Sequence, residues 1–165
     1  MQTSDAIDQI RNIHSGQLWL GANFESKIEG IDDSNAFLSP QVELHSVAQV
    51  IAHLTAWNFD LIEKIKNGKG KLLDSDPSNW PSNTDLKLVG WDGLIKTYFQ
   101  TIEEVIKNLS EKNSDFLSEE YYDQDFKKNA PYDFAVSGMI QHTIYHLGQL
   151  GIIIKILKSE NNQSE

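Results

Sequence analysis

The feature that most constrains this chain is a helical repeat of apolar residues, renewed in four separate segments. Val50, Leu54, Trp57, Leu61 and Ile65 recur every three or four residues, as do Leu94, Ile95, Tyr98, Ile102, Val105, Ile106 and Leu109. This spacing lines one face of an α-helix and leaves the other face to water. Strand-like alternation is weak throughout, and there is no internal repeat and no glycine-rich phosphate loop. A chain of 165 residues built this way has one economical solution, an all-α four-helix bundle forming a single domain over residues 1–165.

Local signals place the helices. The first is expected from about Ser4 to Phe24, with Ile7, Ile10, Ile13 and Leu18 as its stripe. Gly16 and Gly21 weaken its far end. A loop follows, with one helical turn expected at "DSNAF". The second helix has a Ser-x-x-Gln capping box at Ser46 and Gln49, and "NGKG" ends it at residues 67–70. Residues 68–90 are rich in Gly, Pro, Ser, Asn and Asp and read as a long connection, a kind of segment that often lines a site. The third helix runs from Trp91 to about Leu109. Another long connection follows, with a helical turn at "SDFLSEE". The fourth helix is expected from Asp133, as its cap, to about Lys158, and the polar tail "SENNQSE" should fray.

The formal charge of −10 argues against nucleic acid and against acidic membrane surfaces, since phosphates are bound by clustered Lys and Arg that this chain lacks. The apolar stretch from Phe134 to Leu157 is interrupted by Gln141, His142, His146, Gln149 and Lys155, too often for a membrane span. The absence of cysteine excludes disulfides, thiolate ligands and a cysteine nucleophile. It fits a reducing compartment. The N-terminus has neither the basic start nor the apolar core of a signal peptide, so a cytoplasmic enzyme or binding protein is expected.

The last helix carries "QHTIYHLGQL" in an otherwise apolar stretch. His142 and His146 are one turn apart, so their rings share a face, and Gln149 continues it. Such a pair can place two nitrogens about 2.0–2.1 Å from one metal ion. His53, inside the second helix, is the candidate third ligand. Three neutral imidazoles would leave the ion its full charge and a position for water or substrate. The competing reading is a set of ordinary core histidines, each bonded to a carbonyl or a tyrosine, because H-x-x-x-H arises often by chance. His45 is expected to pack at the helix N-terminus and His14 to lie on the surface. Trp19, Trp57, Trp80 and Trp91 are expected in the core or a pocket wall. Asp60, Gln149 and Tyr145 are the nearest candidates for a general acid or base, and weak ones. His-Glu-x-x-His, Glu-x-x-His and Gly-x-Ser-x-Gly are all missing, which removes zincin-type, di-iron carboxylate and serine hydrolase sites.

With these residues in view the chain resembles the DinB-like superfamily. "HSVAQVIAHLTAWN" and "GMIQHTIYHLGQLGIIIKIL" carry the likeness, helped by "WDGLIKTYFQTIEEVIKNL" and "GQLWLGANFESKIEGIDDSNAFLSP". The resemblance implies a four-helix bundle with long crossover connections and a divalent metal ion held by His53, His142 and His146. Imidazole suits several metals, of which zinc or nickel is expected. It further implies a homodimer acting on a small-molecule substrate. Characterised relatives include transferases and isomerases that use a low-molecular-weight thiol such as bacillithiol or mycothiol. A three-histidine ion can activate either bound water or an external thiol, so a metal-dependent hydrolase or thiol S-transferase is expected. The alternative is a non-catalytic metal-binding or small-molecule sensor domain.

Overall fold

A computed structural model describes residues 1–41 and 44–161 of the chain. Its helices are α1 (Thr3–His14), α2 (Phe24–Ile28), α3 (Val47–Asn67), α4 (Asn83–Val89), α5 (Trp91–Ser110) and α6 (Tyr132–Asn161). Two short strands, β1 (Glu120–Asp123) and β2 (Lys128–Pro131), precede α6 and pair antiparallel, with Tyr121 opposite Ala130.

The four long helices close a bundle in which α3 packs on α5 and α6, and α1 packs on the same two. Helices adjacent in sequence, α1 with α3 and α5 with α6, therefore lie across the bundle from each other. Both links are crossovers, which is why they are long: the first carries α2 and the second carries the hairpin. The core between them includes Ile10, Leu54, Tyr98, Val105, Val136 and Leu150, each essentially inaccessible to solvent. Burying each large aliphatic side chain there stabilises the fold by about 1.5–3 kcal/mol relative to exposure.

The all-α expectation holds, and the well-signalled helix ends fall where the sequence puts them. Ser46 Oγ accepts the Gln49 N–H at 3.1 Å, and Gln49 Oε1 accepts the Ser46 N–H at the same distance. Gly68 ends α3 in the left-handed region, at φ 69°, where a side chain would be strained. The "SDFLSEE" turn is a short 3₁₀ segment at Phe116–Ser118.

Other expectations need correction. α1 stops at His14 rather than Phe24, because the N–H groups of Ser15 and Gly16 turn back onto Arg11. Asn23 then opens a new helix by accepting the Ser26 N–H at 2.9 Å. Trp19 falls in the intervening turn and is 99% exposed, not core. α2, α4 and the hairpin were not foreseen; each is too short to show a period. Asp133 lies inside the first turn of α6 instead of capping it, where its charge still favours the positive helix end. α6 runs on to Asn161. The fraying expected of the tail lies partly outside the described residues. Among the described residues no helix is long and apolar enough to cross a membrane.

Candidate metal centre

α3 and α6 pack side by side, and this brings the three chosen histidines together. His142 Nε2 lies 3.0 Å from His53 Nε2 and 2.9 Å from His146 Nε2. The ligand atoms of all three fall within 4.8 Å of one another. His53 and His146 are 5% and 3% exposed, and His142 is half-buried.

The outward nitrogens determine what the inward ones can do. His53 Nδ1–H donates to the carbonyl of Asn79 at 3.2 Å, and His146 Nδ1–H donates to Gln149 Oε1 at 2.6 Å. Each of these rings therefore turns an Nε2 lone pair inward. A single proton on His142 Nε2 cannot point at both lone pairs, so the cluster holds more acceptors than it has protons to satisfy. Burial also opposes adding protons. It lowers the pKa of His53 to about 4, with the neighbouring His146 adding to the effect. His142 is lowered by burial to about 3, again with help from the other two rings. His146 is lowered by burial too, against the opposing bond to Gln149. Near neutral pH the three rings are neutral and ready to donate to a cation.

The spacing fits such a cation. Two imidazole nitrogens about 2.0–2.1 Å from one ion sit about 2.9–3.5 Å apart at ordinary coordination angles. The two separations that His142 makes, 3.0 and 2.9 Å, lie at the lower end of that range.

A wall of aromatic rings supports the centre. Trp80 stacks on His53 at 3.9 Å between ring centroids and on His45 at 3.7 Å, both nearly parallel. Two rings that close cannot share one face, so the indole is sandwiched between them. His45 thus packs at the start of α3, as expected, and its nitrogens are not part of the cluster. The loop carrying Asn79 and Trp80 is fixed to α3: Gln49 Nε2–H donates to the Pro81 carbonyl at 3.0 Å, and Ser46 O–H to Asn83 Oδ1 at 2.6 Å. The expectation that residues 68–90 line a site is met by Asn79 and Trp80.

Beside the centre lies a cavity of about 650 Å³, reached by His53 and His142 and walled by Trp57, Leu61, Phe134 and Met139. Its other end is polar. Lys64 Nζ lies 3.0 Å from Asp60 Oδ2 and 3.4 Å from Asp123 Oδ2, and Tyr121 O–H donates to Asp123 Oδ2 at 2.8 Å. Asp60 Oδ1 accepts the N–H groups of Lys71 and Leu72 at 2.6 and 2.9 Å. Gly70 passes so close that a Cβ there would lie 2.6 Å from both Asp60 oxygens. The sequence reading missed Asn79, Lys64, Tyr121 and Asp123. Only Lys64 had a usable signal, its i,i+4 spacing from Asp60 on α3.

The candidate acids and bases fare poorly. Asp60 is held by Lys64 and two backbone N–H groups, and Gln149 by His146. Tyr145 is largely exposed, with its ring 5.0 Å from that of His146. His14, expected at the surface, is buried at 3% exposure.

A bundle with two crossovers and imidazoles gathered from two helices defines a class: helical proteins with a three-histidine cluster whose nitrogens could hold a metal ion. The sequence profile of the DinB superfamily matches residues 19–150, and the chain belongs to that superfamily. A search of curated proteins finds no match.

Proposed function

We propose that this protein is a metal-dependent enzyme that transfers a low-molecular-weight thiol to a small electrophile. In this reading Nε2 of His53, His142 and His146 hold one divalent ion, zinc or nickel. The observation that carries it is the convergence of three imidazole nitrogens beside a cavity of about 650 Å³. A bound ion supplies Lewis acidity and makes thiolate or hydroxide available near neutral pH.

The chain's own residues do the rest. Asn79 and Gln149 fix the tautomers of His53 and His146. Trp80 covers one side of His53 and excludes water there. Trp57, Leu61 and Met139 give the cavity an apolar wall against which an acceptor can lie. The chain has no cysteine, so the thiol comes from outside.

Transfer is favoured over hydrolysis on two grounds. The cavity has room for a thiol and an acceptor together. Hydrolysis calls for a general base beside the ion, and of the candidates the sequence offered, Asp60 accepts two backbone N–H groups and Gln149 is bonded to His146. A purely metal-binding or sensor role calls for a further protein ligand, and His45 is stacked on Trp80 instead. A cytoplasmic location and a homodimer belong to the same proposal. The apolar Ile144, Tyr145 and Ile152, exposed on α6, support the dimer.

The test is a thiol-consumption screen against a panel of electrophiles, run with and without chelator. The proposal expects loss of thiol that stops on chelation and returns with zinc or nickel. Consumption indifferent to chelator, or chelator-sensitive ester or amide hydrolysis in its place, overturns the transferase reading.

A further inference from the structure

The cavity has two ends of different character. At one end are His53 and His142, two of the three neutral imidazoles. Its remaining lining includes four carboxylates, Asp60, Asp74, Asp123 and Asp125, and a single ammonium, Lys64, a net charge of −3. We propose that the ligand of this cavity carries a protonated amine, set within about 10 Å of the group it presents to the histidines. The inference rests on reading the histidine cluster as the reactive centre. The distance is two turns of α3, from His53 to Asp60, at about 1.5 Å per residue.

The charges are arranged to receive a cation. Lys64 is already matched by Asp60 and Asp123, so it is not free to anchor an anion. Asp74 and Asp125 have no cationic partner among the described residues. They are held side by side, because the Asp74 N–H donates to both oxygens of Asp125, at 3.1 and 3.2 Å. Asp125 is fixed in turn by the bond from its own N–H to Asp123 Oδ1 at 3.0 Å. Asp60 is 4% exposed. Its Oδ2 is close to Lys64 Nζ but off the hydrogen-bonding line, which leaves a buried carboxylate oxygen without a donor. Trp57, Phe126 and Phe134 complete the wall with aromatic faces, which attract cations and also accept an alkyl chain. An anionic tail would meet net repulsion, and a neutral one would gain nothing from the carboxylates. A divalent ion at the histidines makes that end positive and leaves the carboxylate end negative. The site then selects a molecule whose two ends differ in the same sense.

The test uses the full chain stripped of metal, so its outcome does not depend on the ion. Phenylbutylamine, phenylbutanol and phenylbutyrate are titrated by calorimetry at low salt and near neutral pH. The amine is expected to bind about tenfold tighter than the alcohol, with the acid weakest. This preference should shrink at about 0.5 M salt. It should vanish in the double variant Asp74→Asn, Asp125→Asn, whose helical circular dichroism should be unchanged. An alcohol or acid that binds as well as the amine, no saturable binding by any probe, or a double variant that keeps the preference each overturns the inference. Failure of the metal reading shows up separately, as failure of the stripped chain to take up zinc.

Discussion

Two sets of buried histidines lie in this bundle, and they differ in what their nitrogens meet. His14 is satisfied by protein on both sides. Its Nδ1–H donates to the Ile10 carbonyl at 2.6 Å, and its Nε2 accepts the Tyr98 O–H at 2.7 Å. His53 and His146 are satisfied on the outside only, and turn their remaining nitrogens toward His142. Burial depresses the pKa of every one of these rings, so burial and pKa do not separate a structural histidine from a ligand. The partner of the second nitrogen does. For His14 that partner is a tyrosine, which leaves no lone pair for an ion.

The sharpest way to break this comparison is to remove one ring from each set. His142→Ala should lower zinc affinity at least about a hundredfold, more than the loss of a supporting partner usually costs, while the helical signal survives. Metal analysis beside circular dichroism checks it. Acid should act next. Burial holds the His14 pKa at about 4, whereas the unfolded chain takes up that proton near 6.5. The unfolded state therefore binds more protons between those values. Stability is complete above about pH 6.5, declines as pH falls, and has lost about 3 kcal/mol from this ring by pH 4. The paired variant His14→Leu, Tyr98→Phe should remove this part of the acid sensitivity and leave zinc binding intact. Urea melts across pH measure the first, and a zinc titration the second.

Smaller changes sharpen the contrast. Gln149→Leu takes away the acceptor that orients His146, and zinc affinity should fall about 10–100-fold with little change in melting temperature. Tyr98→Phe does the reverse: it strands the His14 lone pair and should cost about 1–3 kcal/mol of stability without touching zinc. Gly70→Ala tests the polar end of the cavity. A Cβ 2.6 Å from both Asp60 oxygens must push the carboxylate or the loop aside, at about 1–3 kcal/mol. The expected readout is a lower melting temperature with zinc affinity preserved.

How far the sequence could be read follows from the same physics. α3 and α5 were legible because each sustains its apolar stripe over several turns, and α3 has a cap at one end and a glycine stop at the other. Most of α6 was legible because its apolar stretch from Phe134 to Leu157 is far longer than a strand. The histidine cluster was legible because i,i+4 spacing fixes two rings on one face before any packing is known. His14 was misread from its polar neighbours. Its place one turn beyond Ile10 and two beyond Ile7, on the apolar face of α1, was the better signal. The end of α1 was hidden because Leu18 continues the stripe by coincidence, within a turn closed by a bond from the Gly21 N–H to the Leu18 carbonyl. The cavity's polar end was out of reach. It joins Asp60 and Lys64 to Tyr121 and Asp123 across an α3–hairpin contact, and strands of four residues are too short to show alternation.

The central claim is that three imidazole Nε2 atoms share one ion and a fourth buried histidine does not. Zinc titration of stripped, ¹⁵N-labelled protein, followed through the imidazole resonances, tests it directly. The account predicts that His53, His142 and His146 shift together and saturate at one zinc per chain, each through Nε2, while His14 stays where it was. Rings that titrate separately, a shift at His14, or no response from the three would contradict it.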